Sequence, residues 1–564
     1  MKLGSLFGTP KTLASTTKSN PKSPPKSNLG GVMETKLRPG EFKINWPKIE
    51  PQQVKDYRPI LSVNELEEYL KKCQETGFAS FDWETAADED TRKQYLIDVE
   101  PLLSRTAVLE TEMDELLKKE DAQPTKKEKD AISKEIKKLQ AVIKEVNGEI
   151  DDIRKAYLRT PLDPWKGEIC TASISAEPHE AIVVPISHKK GQVFEPHLTR
   201  DKAREVFMDT FERMILMNKE VIKIAVNFTF ESKYLARYGR YVVGPVADPL
   251  MMWVRCLQVV APQKIQDPKK PSRGWGLKPA TKNTFGVNMN DFTALLYKHQ
   301  ADFFDEIDAS QGDGLLYSAE DSDYGLQHYL YWREIAKQIP RYDKWLHKIE
   351  MPFQRVIGLM EYWGMAWDKD LASQKAQEAE IMQQQAADKI KEIIKESTGL
   401  EVNTGAAGKT NEVKHVIFDV MKLPAAKWSE KTGDASLDKE GLIDMIFMLE
   451  NNLMSIDEEK YLGVKLPKGW EEIDPEQDPT LSKDERQSIR IAKREPHPYK
   501  GAGLQLLEQL KKIQKYSTLL SSHIKGREKY FNDRSGRIHA GYSTFTETSR
   551  TNSFNPKLHW GLCG

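Results

Sequence analysis

The sequence predicts an α/β protein: a sheet-bearing region interrupted by a two-helix arm, then a mostly helical region. Three observations predict it. Apolar runs of strand length ("FASFDWET", "GEICTASISAEPHEAIVVPI", "VIKIAV") alternate with helical patterns in the first part of the chain. A heptad seam runs through residues 92–158, and from residue 350 onward the apolar spacing is helical. At 564 residues the chain is too long for one core and is expected to form about two to four domains.

Residues 1–48 read as a disordered basic tail. The first thirty hold five lysines and no acidic residue, amid Ser, Thr, Pro and Gly, without the apolar core of a secretory signal. Order is expected to begin near "FKINWPKIEP". "SVNELEEYLKKCQETG" is an amphipathic helix: Ser62 caps it, Leu66, Tyr69 and Leu70 share a face, and Gly77 stops it. "FASFDWET" is a short strand. In the arm, Val99, Leu102, Thr106, Leu109, Met113 and Leu116 form one seam. Ile132, Ile136, Leu139, Ile143, Val146, Ile150, Ile153 and Tyr157 form another. "DAQPTKKEKD", with Pro124, is the turn between them, so 92–158 is expected to be an antiparallel coiled-coil hairpin, an inserted structural arm, with a surface for a partner protein as the minority reading. Two antiparallel strands follow in "GEICTASISAEPHEAIVVPI", then a buried strand, turn and helix in "VIKIAVNFTFESKYLARYG". Residues 320–335, 350–363, 369–397 and 503–524 are expected to be helical.

Lys plus Arg number 84 against 85 Asp plus Glu, so overall charge selects no polyanionic partner and local patches must do so. Cys73, Cys170, Cys256 and Cys563 are far apart with no C-x-x-C pair. That spacing argues against a zinc site or disulfide framework and suits a reducing, cytoplasmic setting. No apolar run approaches the ~18–20 residues of a membrane helix.

Three pieces place acids where chemistry could use them. In "FDWET", Asp82 and Glu84 are two apart on a strand and face one side. In "VNFTFESKYL", Glu231 follows an apolar strand at a helix start. In "YSAEDSDYGLQHYL", Tyr317 and Asp321 are four apart on a helix and share a face. Each alone has a bland reading, a solvated acid or a packed tyrosine. Together, in this order, they form the pattern of a two-metal phosphodiesterase. Carboxylates without histidines suit Mg²⁺, and two such ions ~3.5–4 Å apart can activate water and stabilise a leaving oxygen.

The three motifs resemble Exo I, II and III of the DEDD 3′–5′ exonucleases, in the subgroup with Tyr before the last Asp. "YSAEDSDYGLQ" is similar to the third motif of bacterial DNA polymerase I proofreading domains, and "GPVADPLMMW" to the segment after Exo II. Further on, "IEMPFQRVIGLMEYWGMAWDKDLASQ", "EVNTGAAGKTNEVKHVIFDVMKLP" and "LLEQLKKIQKYSTLLSSHIKG" resemble the thumb of family-A DNA polymerases. "GRIHAGYSTFTETSRTNSFNPKL" resembles the start of their palm. The resemblance implies a ribonuclease H-like mixed-sheet exonuclease domain over 49–345, a thumb over 346–536 and the start of a palm over 537–564.

It also implies roles. Asp82, Glu84 and Asp321 match the ligands of the more tightly held of two divalent ions (Mg²⁺ or Mn²⁺), with Asp82 bridging to the second. Tyr317, with Glu84, matches the residue that orients the attacking water. Glu231 stands where the family has Asp, one methylene longer, beside the second ion. Asn227 matches a positioning residue. Asp248 matches a family Asp, with a helix cap as the better reading, and Asp323 reads as a solvated helix residue. Trp83 and Phe230 are candidate stacking platforms for a single-stranded or frayed 3′ end of DNA, with core packing the better reading for Phe230. Lys511, Lys512, Lys515, Lys525, Arg527 and Lys529 could grip the backbone of a primer–template duplex. Arg550 matches an arginine near the primer terminus.

The palm aspartates and the Lys and Tyr of the fingers have no counterpart in this sequence, so nucleotide addition by this chain alone is not expected. The tail follows the family to about Leu558, with Ser549 in place of Gly, then reads "HWGLCG". That departure is expected of an intron, frameshift or gene break, as in a compact phage genome. Two rival readings accompany the exonuclease: a DNA-binding scaffold whose site decayed at Glu231, and half of a split polymerase completed by a separate palm–fingers chain.

Overall fold

The computed structural model describes residues 44–49, 53–122, 126–260, 276–339, 341–405, 408, 410–425, 427–428, 435–455, 472–473, 491–493, 495–544 and 551–556. Most of the basic tail, Pro124, Arg550 and the last residues, including Cys563, lie outside the described residues.

A six-stranded mixed sheet organises the first half. Its strands are β1 (Asp56–Pro59), β2 (Phe78–Ala87), β3 (Gly167–Ser175), β4 (Glu180–Pro185), β5 (Ile222–Ile224) and β6 (Val246–Ala247), in the order β1-β4-β3-β2-β5-β6. The β2–β3 and β3–β4 pairs are antiparallel; β1 runs parallel to β4, and β5 runs parallel to both β2 and β6. The helix α1 (Val63–Thr76) precedes β2. Ser62 and Glu65 form a reciprocal capping box, and Gly77 ends the helix in the left-handed region at φ 76°.

β2 is longer than the "FASFDWET" run suggested and is central to the sheet. Phe81 and Trp83 point to one face, where they pack on Phe207 and Phe211 of α4 (Arg200–Phe211). Asp82 and Glu84 therefore point to the other, paired in register with Ser173 and Thr171 of β3, and a bulge follows between Glu84 and Thr85.

Between β2 and β3 the chain leaves the sheet as α2 (Glu89–Ala122) and returns as α3 (Lys126–Tyr157). The two helices run side by side in opposite directions, so that Tyr95 near the start stacks on Tyr157 at the end, ring centroids 4.0 Å apart. The positions read as a seam are the shielded ones: Val99, Thr106, Ile136 and Val146 are buried and their seam neighbours half-buried. The root of the arm is tied to the body by Arg92 on Asp305 and Arg154 on Asp302.

Helix α5 (Phe228–Arg237) follows β5. Next come α6 (Pro249–Val260), α7 (Leu277–Phe285), α8 (Phe292–His299) and α9 (Gly312–Lys337), the last lying across β2, β3 and β4. After α10 (Tyr342–Trp345), α11 (Met351–Trp363) packs on α5 so closely that a Cβ on Gly358 would sit 2.5 Å from Ser232 Cβ. A second core lies further on. There α12 (Lys369–Thr398) packs through Ile390, Ile393 and Ile394 on Leu506, Leu510 and Ile513 of the helix Lys500–Thr518, with Leu442 and Met445 alongside. Short strands at Phe531–Asn532 and Arg537–Ile538 pair in one small sheet with Met365–Ala366. Among the described residues, no helix is long and apolar enough to cross a membrane.

Candidate metal centre

Strand β2 and helix α9 supply the three acids that meet. Asp82, Glu84 and Asp321 each offer a carboxylate oxygen, and these oxygens lie within 4.8 Å of one another. Glu84 is buried, while Asp82 and Asp321 are partly open. Burial first, and the neighbouring carboxylates second, hold Asp82 and Glu84 well above the usual carboxylate range. Burial likewise pushes Asp321 up to about 7. The ammonium of Lys278, from α7, pulls all three the other way.

Tyr317 lies one turn before Asp321 and is buried between Phe292 and Phe304. Burial and the nearby charges of Glu84, Asp321 and Asp82 raise its hydroxyl far above the ordinary value, so it stays protonated. Lys278 Nζ sits 4.3 Å from its ring centroid and 3.3 Å from its hydroxyl.

Glu231 lies in the first turn of α5, 1% exposed. Burial and the charge of Asp82 push its carboxyl well up, and its Oε2 has no hydrogen-bond partner among the described residues. Glu84 Oε1 is in the same state. Buried carboxylate oxygens without a donor, beside a cluster of like charge, are what a hard cation needs, so the donor set fits Mg²⁺ or Mn²⁺. Asp248 is a cap, and a double one. Its Oδ1 accepts from the backbone N–H of Leu250 and Met251 at the start of α6, and its Oδ2 accepts from that of Phe228 at the start of α5. It thereby fixes the turn carrying Asn227, which is exposed at φ 60°.

Other expectations need correction. Trp83 offers no platform: it is 3% exposed, enclosed by Phe81, Phe207 and Phe211, because strand alternation turns it away from Asp82. Asp323 is not solvated. It is fully buried, its Oδ2 accepting from the Tyr57 hydroxyl at 2.6 Å and its Oδ1 from the His179 N–H and Gln327 Nε2 at 2.8 Å. Arg527 is buried, with Nη2 on His523 Nδ1, and Lys525 is bound to Glu380 at 2.9 Å. Lys511, Lys512 and Lys515 are exposed on the helix Lys500–Thr518, and Lys529 is exposed beside the Tyr530 ring.

Phe230 is half-buried and lines, with Asn227, a cleft of 620 Å³ between α5 and residues 529–532, 539–544 and 554–555. Lys166, Lys233 and Lys529 line that cleft with Arg159, and so do Asp163, Asp248 and Glu361, the last paired with Lys233, so its charge is mixed; Tyr530 and Phe554 give it aromatic walls. Lys278 was missed by sequence reasoning. It sits in "GLKPATK" with no acid or aromatic beside it, so nothing local marks it.

No family model matches this chain, and no curated protein matches it. Among solved structures it is similar to the POL domain of Pol1 from M. smegmatis in complex with DNA primer-template and dNTP, at 16% identity and a TM-score of 0.42. The likeness is distant. It covers 70% of this chain and 49% of that one, so this chain spans about half the length of that structure's chain.

Proposed function

We propose that this chain is a metal-dependent 3′–5′ exonuclease that removes nucleotides from DNA ends, carrying a helical unit that holds the adjoining duplex. The observation that carries the reading is the convergence of Asp82, Glu84 and Asp321 oxygens within 4.8 Å, with Tyr317 and Lys278 against them. Asp82, Glu84 and Asp321 would hold one cation, and Asp82 with Glu231 a second. Bound Mg²⁺ or Mn²⁺ supplies the charge that activates water and stabilises the leaving 3′ oxygen. The Tyr317 hydroxyl, kept protonated, donates a hydrogen bond and orients the water rather than taking its proton. Phe230 and Asn227 would receive the terminal nucleotide, and the cleft they line would receive the strand behind it. Lys511, Lys512 and Lys515 would face the duplex backbone. The product is a deoxynucleoside monophosphate.

Purified protein with Mg²⁺ or Mn²⁺ should shorten 5′-labelled single-stranded DNA from its 3′ end, and Asp82→Asn should slow this at least about 100-fold. Equal rates for the two proteins would sink the reading. The one observation favouring a scaffold instead is the longer side chain at Glu231. Glu231→Asp is expected to bring no gain in rate, since the buried Glu231 carboxyl already feels the charge of Asp82. A large gain would mark the native site as decayed.

A further inference from the structure

We propose that Lys55 and Tyr57, at the edge of the sheet, are positioning residues that select Asp321 as the metal-facing acid of α9; this rests on the exonuclease reading above. The helix carries three acids within four residues, Glu320, Asp321 and Asp323, and successive residues differ by about 100° around a helix axis. Only Asp321 joins the cluster. Its two neighbours are both tied down, and one tie to each comes from the same short stretch, Lys55 to Glu320 and Tyr57 to Asp323.

Lys55 Nζ binds Glu320 Oε1 at 2.7 Å, while the Asn290 N–H and Nδ2 reach Oε2 at 3.4 and 3.2 Å. Both oxygens of Glu320 are thereby occupied, and its side chain is nearly closed to solvent. Tyr57 donates to Asp323 Oδ2, and the other oxygen takes His179 N–H and Gln327 Nε2. Lys55 also lies over the rings of Tyr57 and Tyr324, at 5.4 and 5.1 Å from their centroids. The strand that follows Lys55 is fixed in turn, because Asp56 through Pro59 pair with Glu180 through Val183 of β4. The sheet edge thus grips α9 on either side of Asp321 and sets its rotation. A freed Glu320 carboxylate could turn toward the cation, and a 1 Å displacement of a site group costs about 100-fold in rate.

The test is Mn²⁺ binding by titration calorimetry on the full chain without DNA. Lys55→Met should weaken Mn²⁺ binding about 10-fold and Tyr57→Phe less, whereas Lys55→Arg should stay near wild type. Adding Glu320→Gln to Lys55→Met should restore most of the affinity, because the stray carboxylate is gone; a purely structural role for Lys55 predicts instead that Mn²⁺ affinity only follows the metal-free Tm across wild type and the two variants. Wild-type affinity in Lys55→Met, or failure of Glu320→Gln to rescue it, overturns the proposal and leaves the exonuclease reading standing. No Mn²⁺ binding by wild type that Asp82→Asn abolishes would overturn both.

Discussion

Asp321 links the chemistry of the site to the stability of the fold. Its folded value is pushed up to about 7 from 3.8, chiefly by burial, so the folded protein holds this proton more tightly than the unfolded chain. The stability so gained is complete below about pH 4 and is lost as pH rises through about 7. A divalent cation bound there would take the place of the proton, so the benefit of Mg²⁺ would have the opposite pH dependence. Thermal unfolding should show almost no Mg²⁺-induced rise in Tm at about pH 5 and the largest rise at about pH 8. Equal shifts at both would show that the cation binds elsewhere. The residues behind this were unequally legible. Strand alternation alone placed Asp82 and Glu84 together, and the same alternation placed Trp83 in the core, against its reading as a stacking platform. Lys278 was beyond reach, because its meaning comes from Tyr317, 39 residues away.

Elements carried by local periodicity were readable, and those made by distant partners were not. The seam of the α2–α3 arm needs only its own heptads, and the shielded positions are the ones its spacing names. β1 and β6, at four and two residues, have too little pattern to stand out and exist because β4 and β5 pair with them. The burial of Asp323 likewise depends on Tyr57, 266 residues earlier. The arm joins the sheet only at its root, where β2 and β3 already pair from Ala87↔Gly167 onward. Val146 is 1% exposed in the seam, so a carboxylate there would be taken out of water. Val146→Asp is therefore expected to strip hydrogen-exchange protection from residues 92–155 while β2 and β3 keep theirs. Mn²⁺ binding should stay within about twofold, as for sites that share no partner. Loss of protection in β2 would show that the arm is part of the sheet's own folding unit.

Across the whole molecule, the sheet-bearing half and the later segments are joined by buried polar contacts, of which Arg255 is the centre. Its guanidinium, 1% exposed, holds Glu350 Oε1 through Nη2 at 3.0 Å and Nε at 3.2 Å, and also donates to the Thr544 carbonyl. Thr544 Oγ1 donates to the same Glu350 oxygen at 3.0 Å. One cation thus ties α6 to the turn before α11 and to the end of the strand Gly541–Ser543. Nearby, Arg534 reaches Asp88 and the Trp165 carbonyl, and Glu361 of α11 accepts from the Tyr542 N–H and pairs with Lys233 of α5. Of these residues Lys233, Glu361, Tyr542 and Thr544 line the cleft beside Phe230, so its shape depends on them. Removing the guanidinium alone leaves Glu350 buried and unpaired, a defect that costs about 3–5 kcal/mol, whereas removing both charges leaves an apolar gap and costs much less. Urea unfolding should show Arg255→Met losing about that amount and Arg255→Met/Glu350→Leu recovering most of it. A double variant no more stable than Arg255→Met would mean that the carboxylate finds other donors or water. The halves would then be held by α11 packing on α5 rather than by this charge.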